Sequence, residues 1–222
     1  MSRLQHQWRV LLGDARELLR NVSGVDSIIT DPVWPNAPAG MFPDVVDPEA
    51  LLRDTLVDVQ CRRLVIILRG DSDPRFLRAV PSRFTFFRSQ QLTYALPSYI
   101  GRKLGGDETA YCFGEPIPVS PGARVIPARG PIAQPRDRLR NGHPCSRALI
   151  HMRWLVRWWS LPGETICDPF AGSGQTGVAV VQAGVGRKFV GIEIDPEYCA
   201  LARRRIEEAT RQGSLLPSEA SA

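Results

Sequence analysis

Thr165-Ile166-Cys167-Asp168-Pro169-Phe170-Ala171-Gly172-Ser173-Gly174-Gln175-Thr176-Gly177 leads from a short apolar run into a helical pattern over 174–183, and its reading decides the fold. Gly172, Gly174 and Gly177 spell G-x-G-x-x-G, and Glu193 closes the next apolar run, Lys188–Glu193. Small residues at the carboxyl end of a strand let the backbone approach a ligand, and an acid ending the following strand can accept from ribose hydroxyls. Strand, glycine turn, helix, second strand and terminal acid together predict a site for an adenosine-containing cofactor. Dinucleotide folds usually place the first glycine directly after the strand, leaving room for a pyrophosphate. In this chain Asp168-Pro169-Phe170 intervenes and sets a carboxylate at the strand tip. Such a charge repels a pyrophosphate and suits a cationic α-amino group, which S-adenosylmethionine carries. Capping of the helix start is the other reading of Asp168.

Outward from this turn, the chain reads as seven strand-like runs: 8–12, 25–30, 63–68, 84–95, 108–113, 165–168 and 188–193. Several are continuous apolar stretches bounded by Gly, Pro or Asp, as expected for strands buried on both faces. Helical patterns lie between them at 15–21, 48–60, 74–80, 145–160, 174–183 and 196–211. The last opens Asp195-Pro196-Glu197, an N-cap, a proline at the first helical position and an acid in the first turn. Strands alternating with helices predict an α/β fold with a doubly wound, largely parallel sheet. A single domain over 1–214 with a flexible tail over 215–222 is the expected organisation. One stretch breaks the rhythm: 115–140 holds six prolines and the arginines Arg124, Arg129, Arg136, Arg138 and Arg140, with few large apolar residues. Proline keeps such a segment extended.

Composition narrows the classes. With 222 residues, 43% hydrophobic and 23% charged, the chain can build an ordinary core and is not a disordered polymer. The longest aliphatic run, Leu64 to Leu68, is too short to span a bilayer, and the first residues lack the apolar core of a signal peptide. The five cysteines, at 61, 112, 145, 167 and 199, form no Cys-x-x-Cys pair. Neither a disulfide framework nor a structural zinc site is expected, and a reducing cytoplasm is the natural compartment. The net charge is +5, and only Lys103 and Lys188 of the 28 basic residues are lysine. Arginine suits phosphate and base contacts, although a GC-rich genome would produce the same bias.

Asp168-Pro169-Phe170-Ala171-Gly172-Ser173-Gly174, followed by Val190-Gly191-Ile192-Glu193-Ile194-Asp195-Pro196-Glu197-Tyr198, resembles the cofactor signature of the DNA amino-methyltransferases, which methylate adenine N6 or cytosine N4. Little chain follows the glycine motif, so the rest of the sheet has to come from the N-terminal part. That order resembles the β class, circularly permuted relative to other methyltransferases. The resemblance implies a class I methyltransferase (Rossmann-like) fold of seven strands with S-adenosyl-L-methionine as cofactor and a small Pro/Arg-rich insertion. It also implies an acid-Pro-x-aromatic motif at an N-terminal strand end, and Asp31-Pro32-Val33-Trp34 stands there, with Val33 in place of the family's second proline.

An exocyclic amino group is a poor nucleophile because its lone pair is delocalised into the ring. A carboxylate and a main-chain carbonyl accepting its two hydrogens return electron density to nitrogen, and an aromatic ring stacks on a base swung out of its helix. By the resemblance, Asp31, Pro32 and Trp34 carry catalysis. The cofactor set is Asp14, Ser146, Asp168, Phe170, Ala171, Gly172, Gly174 and Glu193. Asp14 belongs to Leu11-Leu12-Gly13-Asp14 and is expected near the cofactor adenine, or as an N-cap. Ser146 or Arg147, in His143-Pro144-Cys145-Ser146-Arg147, is expected at the methionine carboxylate. Cys145 follows a proline, but the strand end where a cytosine-C5 enzyme needs its cysteine holds Asp31-Pro32, and the Pro-Cys-x-x-Cys and His-x-Glu motifs of a zinc deaminase are missing. Asp at the first motif position leans toward adenine N6, with cytosine N4 as the alternative. DNA is the expected partner, through the five arginines of 115–140. Outside the class stand a nicotinamide-dependent oxidoreductase and a non-catalytic DNA-binding remnant.

Overall fold

The computed structural model describes residues 7–38, 40–42, 44–95, 98–100, 103–105, 107–118, 127, 129–134 and 147–213, with the backbone alone at 98–100 and 103–105. In chain order these form β1 (Trp8–Leu12), α1 (Ala15–Leu18) running on as a 3-10 turn (Leu19–Asn21), β2 (Ser27–Thr30), α2 (Pro48–Leu56) and β3 (Arg63–Arg69). A 3-10 helix (Pro74–Ala79), β4 (Phe86–Leu92), β5 (Ser98–Ile100), β6 (Lys103–Gly105) and β7 (Glu108–Gly114) follow. The chain closes with α3 (Leu149–Trp159), β8 (Thr165–Asp168), α4 (Gln175–Ala183), β9 (Lys188–Glu193) and α5 (Pro196–Gly213).

Seven strands make one sheet in the order β1-β9-β8-β2-β3-β7-β4, parallel except for β7, which is antiparallel to both neighbours. All seven expected runs are in it. The β5–β6 hairpin stands apart and is additional to the expected elements. Helices cover both faces, which explains the unbroken apolar sequence of β3. Val65 and Ile67 pack with Met152, Leu155, Val178 and Ile206 on one side, while Leu64, Ile66 and Leu68 pack with Leu52, Leu56 and Phe76 on the other. Helix boundaries differ from expectation where capping decides them. The 196–211 helix is capped as predicted, the Asp195 carboxylate accepting from the backbone N–H groups of Glu197 and Tyr198 at 2.8 and 3.0 Å. The 145–160 helix begins only at Leu149, after an extended Ala148. The 74–80 helix is 3-10 throughout, a distinction that a short helical pattern does not encode.

The sheet reverses direction between β8 and β2: from β8 the chain winds through α4 to β9, and from β2 through α2 to β3. Open α/β sheets bind ligands in the crevice at that switch point, beyond the carboxyl ends of the strands. Asp168 and the glycine turn end β8, and Asp31 directly follows β2.

Candidate active site

The glycine turn owes its shape to the absence of side chains. Gly172 and Gly174 have φ of 50° and 78°. A Cβ on Gly174 would lie 2.8 Å from that of Ala202, and one on Gly177 would lie 2.4 Å from Ile206 Cδ1. The first two glycines thus form the turn, and the third lets α4 sit close against α5 and β9. Asp168 holds the turn from below. Its Oδ1 accepts from Thr30 Oγ1 at 2.7 Å and from the Phe170 N–H at 3.1 Å, and its Oδ2 accepts from Thr176 Oγ1 at 2.5 Å. Burial pushes this carboxyl up to about 6, with Glu193 adding to the rise and the two threonine hydroxyls opposing it. Glu193, at the tip of β9, accepts from the Gly172 N–H at 2.6 Å and from the Asp195 N–H at 2.9 Å; burial raises its pKa as well. Asp14 is the N-cap of α1 and also a wall of the cleft. It accepts from the Arg16 N–H at 2.8 Å, and the Arg16 guanidinium holds its carboxyl below the usual range.

Asp31 lies in the same cleft, a cavity of about 790 Å³ that also takes in Pro32, Trp34, Asp168, Gly172 and Glu193. One carboxylate oxygen accepts from the Trp34 indole N–H at 3.0 Å, and the other accepts from Arg147 Nε at 2.5 Å. Arg147, expected with Ser146 at a methionine carboxylate, is paired here with protein acids. It reaches across to Asp31 and Glu108, its guanidinium 4.2 Å from the centroid of the Trp34 ring. Glu108 in turn accepts from the Tyr94 hydroxyl at 3.1 Å. Burial opposes the Arg147 charge, but Asp31 and Glu108 outweigh it and raise its pKa. Burial pushes Asp31 up to about 7, with Glu108 and Asp168 adding to the rise and Arg147 working against it.

Trp34 is 5% exposed, and the Arg69 guanidinium lies 5.5 Å from its ring. With the Arg147 guanidinium also over the ring, a base can stack on Trp34 only if one of the two guanidinium groups moves. In this structure the ring braces Asp31 and supports Arg147. Ser146 and the arginines Arg124, Arg136, Arg138 and Arg140 lie outside the described residues; Arg129 is exposed and bridges to Gln91. Sequence reasoning missed Glu108, Thr30 and Thr176. An acid opening the apolar run of β7 was the one available signal.

The family model described as DNA methylase, for N6- and N4-type enzymes, matches residues 17–204. The chain belongs to this DNA methylase family. Among curated members it is 38% identical over 74 residues to DNA adenine methyltransferase YhdJ of Escherichia coli (strain K12), covering 33% of this chain and 24% of YhdJ. It is 33% identical over 78 residues to the type II methyltransferase M2.DpnII of Streptococcus pneumoniae, covering 35% and 28%. These matches span about a quarter of the relatives' length. Among solved structures, an M1.HpyAVI–SAM complex aligns with a TM-score of 0.67 at 23% identity, over 90% of this chain and 98% of that one. The cytosine-N4-specific PvuII DNA methyltransferase aligns at 0.64 with 15% identity, over 93% and 91%. These likenesses establish that this chain has the methyltransferase fold of those structures, a seven-stranded, mostly parallel sheet with helices on both faces.

Proposed function

We propose that this DNA methylase transfers a methyl group from S-adenosylmethionine to the exocyclic amino group of a DNA base, adenine N6 in preference to cytosine N4. The observation that carries this reading is the meeting of Asp31-Pro32 and the Asp168–Gly174 turn in one cleft. The charges in that cleft fit the cofactor. Eight acids, Asp44 and Asp54 among them, line it with only Arg16 and Arg147, and both arginines are already paired with acids. An acid-rich, lysine-free cleft favours a sulfonium and an ammonium over the pyrophosphate of a nicotinamide cofactor.

Glu193, held by two backbone N–H groups, keeps carboxylate lone pairs for ribose hydroxyls. Asp168 places a second acid on the side where the α-amino group belongs. Asp14, Phe170, Ala171, Gly172 and Gly174 complete the binding set, with Ser146 assigned to it from its motif. S-adenosylmethionine, when bound, supplies a methyl group on a positively charged sulfur. Asp31 and the Pro32 carbonyl each accept one hydrogen of the target amino group, leaving its lone pair free to form the new N–C bond. The C–S electron pair stays on sulfur, and the amino group then releases one proton to solvent. Trp34 fixes Asp31 through its indole N–H.

Arginines 124, 129, 136, 138 and 140 are the proposed phosphate and groove contacts for DNA from which the base is flipped. So short a reader suits a short recognition site. Among the described residues no helix is long and apolar enough to cross a membrane, and the cytoplasm is the proposed compartment. Incubation with methyl-labelled S-adenosylmethionine and unmethylated DNA, followed by nucleoside analysis, tests the reading. Labelled N6-methyldeoxyadenosine is expected. Label in N4-methyldeoxycytidine would change the base, and no label in nucleosides would overturn the function.

A further inference from the structure

We propose that Arg147 is a positioning residue that keeps Asp31 an ionised hydrogen-bond acceptor, ready for the donor hydrogens of the target amino group; the proposal rests on the amino-methyltransferase reading above. A carboxylate in this place is the stronger acceptor when charged. Once protonated, it keeps one carbonyl acceptor, but its other oxygen becomes a donor and the negative charge that draws positive charge onto the reacting nitrogen is gone. Its surroundings press it toward protonation. It is half-buried, Glu108 on β7 and Asp168 on β8 face it with like charge, and its Trp34 partner is neutral. Arg69, whose guanidinium lies on Trp34, is ion-paired to Asp71. Among the described residues, Arg147 is the cation in contact with Asp31, at 2.5 Å.

The position of Arg147 is built rather than incidental. The guanidinium lies over the Trp34 ring, Nε serves Asp31 and Nη1 serves Glu108. Its third nitrogen, Nη2, is buried without a hydrogen-bond partner among the described residues. Among the described residues the charge is therefore spent on the two carboxylates and on no neutral acceptor. Behind it, the Arg147 carbonyl accepts from Gln175 Nε2 at 2.7 Å, and Gln175 is itself held by Arg205. Gln175 opens α4 directly after the glycine turn, so the same turn that forms the cofactor pocket fixes the backbone from which the guanidinium reaches Asp31. A planar fork can meet two carboxylates while lying on a ring; a lysine ammonium would supply the charge without that geometry.

The test is carboxyl ¹³C NMR titration of Asp31 in the whole protein, labelled in aspartate and assigned with Asp31→Asn. The readout needs no turnover. In Arg147→Met the Asp31 midpoint is expected to rise by roughly 1–3 pH units, the movement produced by losing an opposite charge in contact. Arg147→Lys should restore most of it, and Glu108→Gln should lower it, because a like charge is removed. Methyl transfer measured in parallel should show the acid limb of kcat moving with the midpoint in Arg147→Met, with about tenfold less activity near neutral pH for each pH unit moved, recovered at higher pH. An unchanged midpoint in folded Arg147→Met overturns the proposal, as does an activity loss equal at every pH or a Glu108→Gln midpoint that rises. If wild-type protein methylates no DNA while the midpoints move as stated, the function reading falls and the charge-holding role stands.

Discussion

Asp168 and Asp31 stand at the ends of neighbouring strands, β8 and β2, and face one cleft, yet the fold treats their charges in different ways. Asp168 is 3% exposed and is bonded to two hydroxyls and a backbone N–H drawn from β2, α4 and its own turn. Its partners are neutral and short-tethered, so it acts as a pin for the glycine turn. The Asp31 side chain is 18% exposed and depends on one long cationic side chain and one indole N–H. A carboxylate satisfied by neutral donors of the scaffold is a structural fixture. One balanced against an opposite charge is open to tuning. The cofactor end of the cleft is accordingly tied by neutral hydrogen bonds, and the substrate end is tuned by electrostatics.

Asp31→Ala should have the largest effect. Methyl transfer should fall by about 10²–10³-fold or more, the loss seen when one transition-state hydrogen-bond partner is removed, while S-adenosylmethionine still binds. Radiometric assay and calorimetry on the folded variant check both halves, and near-normal turnover would remove Asp31 from the reaction. Thr176→Val strikes the other aspartate. It should cost about 1.5–3 kcal/mol of stability in denaturant unfolding, because a buried carboxylate loses a donor. An unchanged unfolding midpoint would show that Asp168 is not a pin.

Glu193→Ala should weaken cofactor binding by about 1.5–3 kcal/mol and affect turnover at saturation less, since a ribose contact is similar in ground and transition states. Unchanged affinity by calorimetry would move the ribose contact elsewhere. The smallest effect concerns pH. The carboxyls of Asp31 and Asp168, at about 7 and about 6, lie above the ordinary aspartate value in the folded protein. The folded state therefore binds more protons than the unfolded state from roughly pH 4 to pH 7, and stability falls as pH rises through that window. Asp31→Asn removes one of the two contributions, so its melting temperature relative to wild type should be more favourable at pH 8 than at pH 5. A difference independent of pH would contradict the raised value for Asp31.

The contrast between the two aspartates also marks how far the sequence is legible. All seven sheet strands could be read, several of them because they are apolar runs closed by Gly, Pro or Asp, and the glycine turn could be read because its chemistry is local. The β5–β6 hairpin could not, since its three-residue strands carry no apolar run. Asp168 was placed at the cofactor site, but its ties to Thr30 and Thr176 depend on strand order. The pairing of Arg147 with Asp31 joins positions 116 residues apart, and nothing in local spacing announces it. By its motif Arg147 reads, with Ser146, as a helix-start residue; α3 starts two residues later, and the guanidinium crosses to Asp31 just beyond β2.

A crystal structure of the protein with S-adenosylmethionine would test most directly whether one cleft serves both halves of the reaction. The expected result places the ribose hydroxyls on Glu193, the α-amino group toward Asp168, and the methyl group facing the Asp31 carboxylate across a gap that admits an amino nitrogen at about 3–3.5 Å from the methyl carbon. A cofactor bound away from the glycine turn, or one whose methyl group points away from Asp31, would contradict the account.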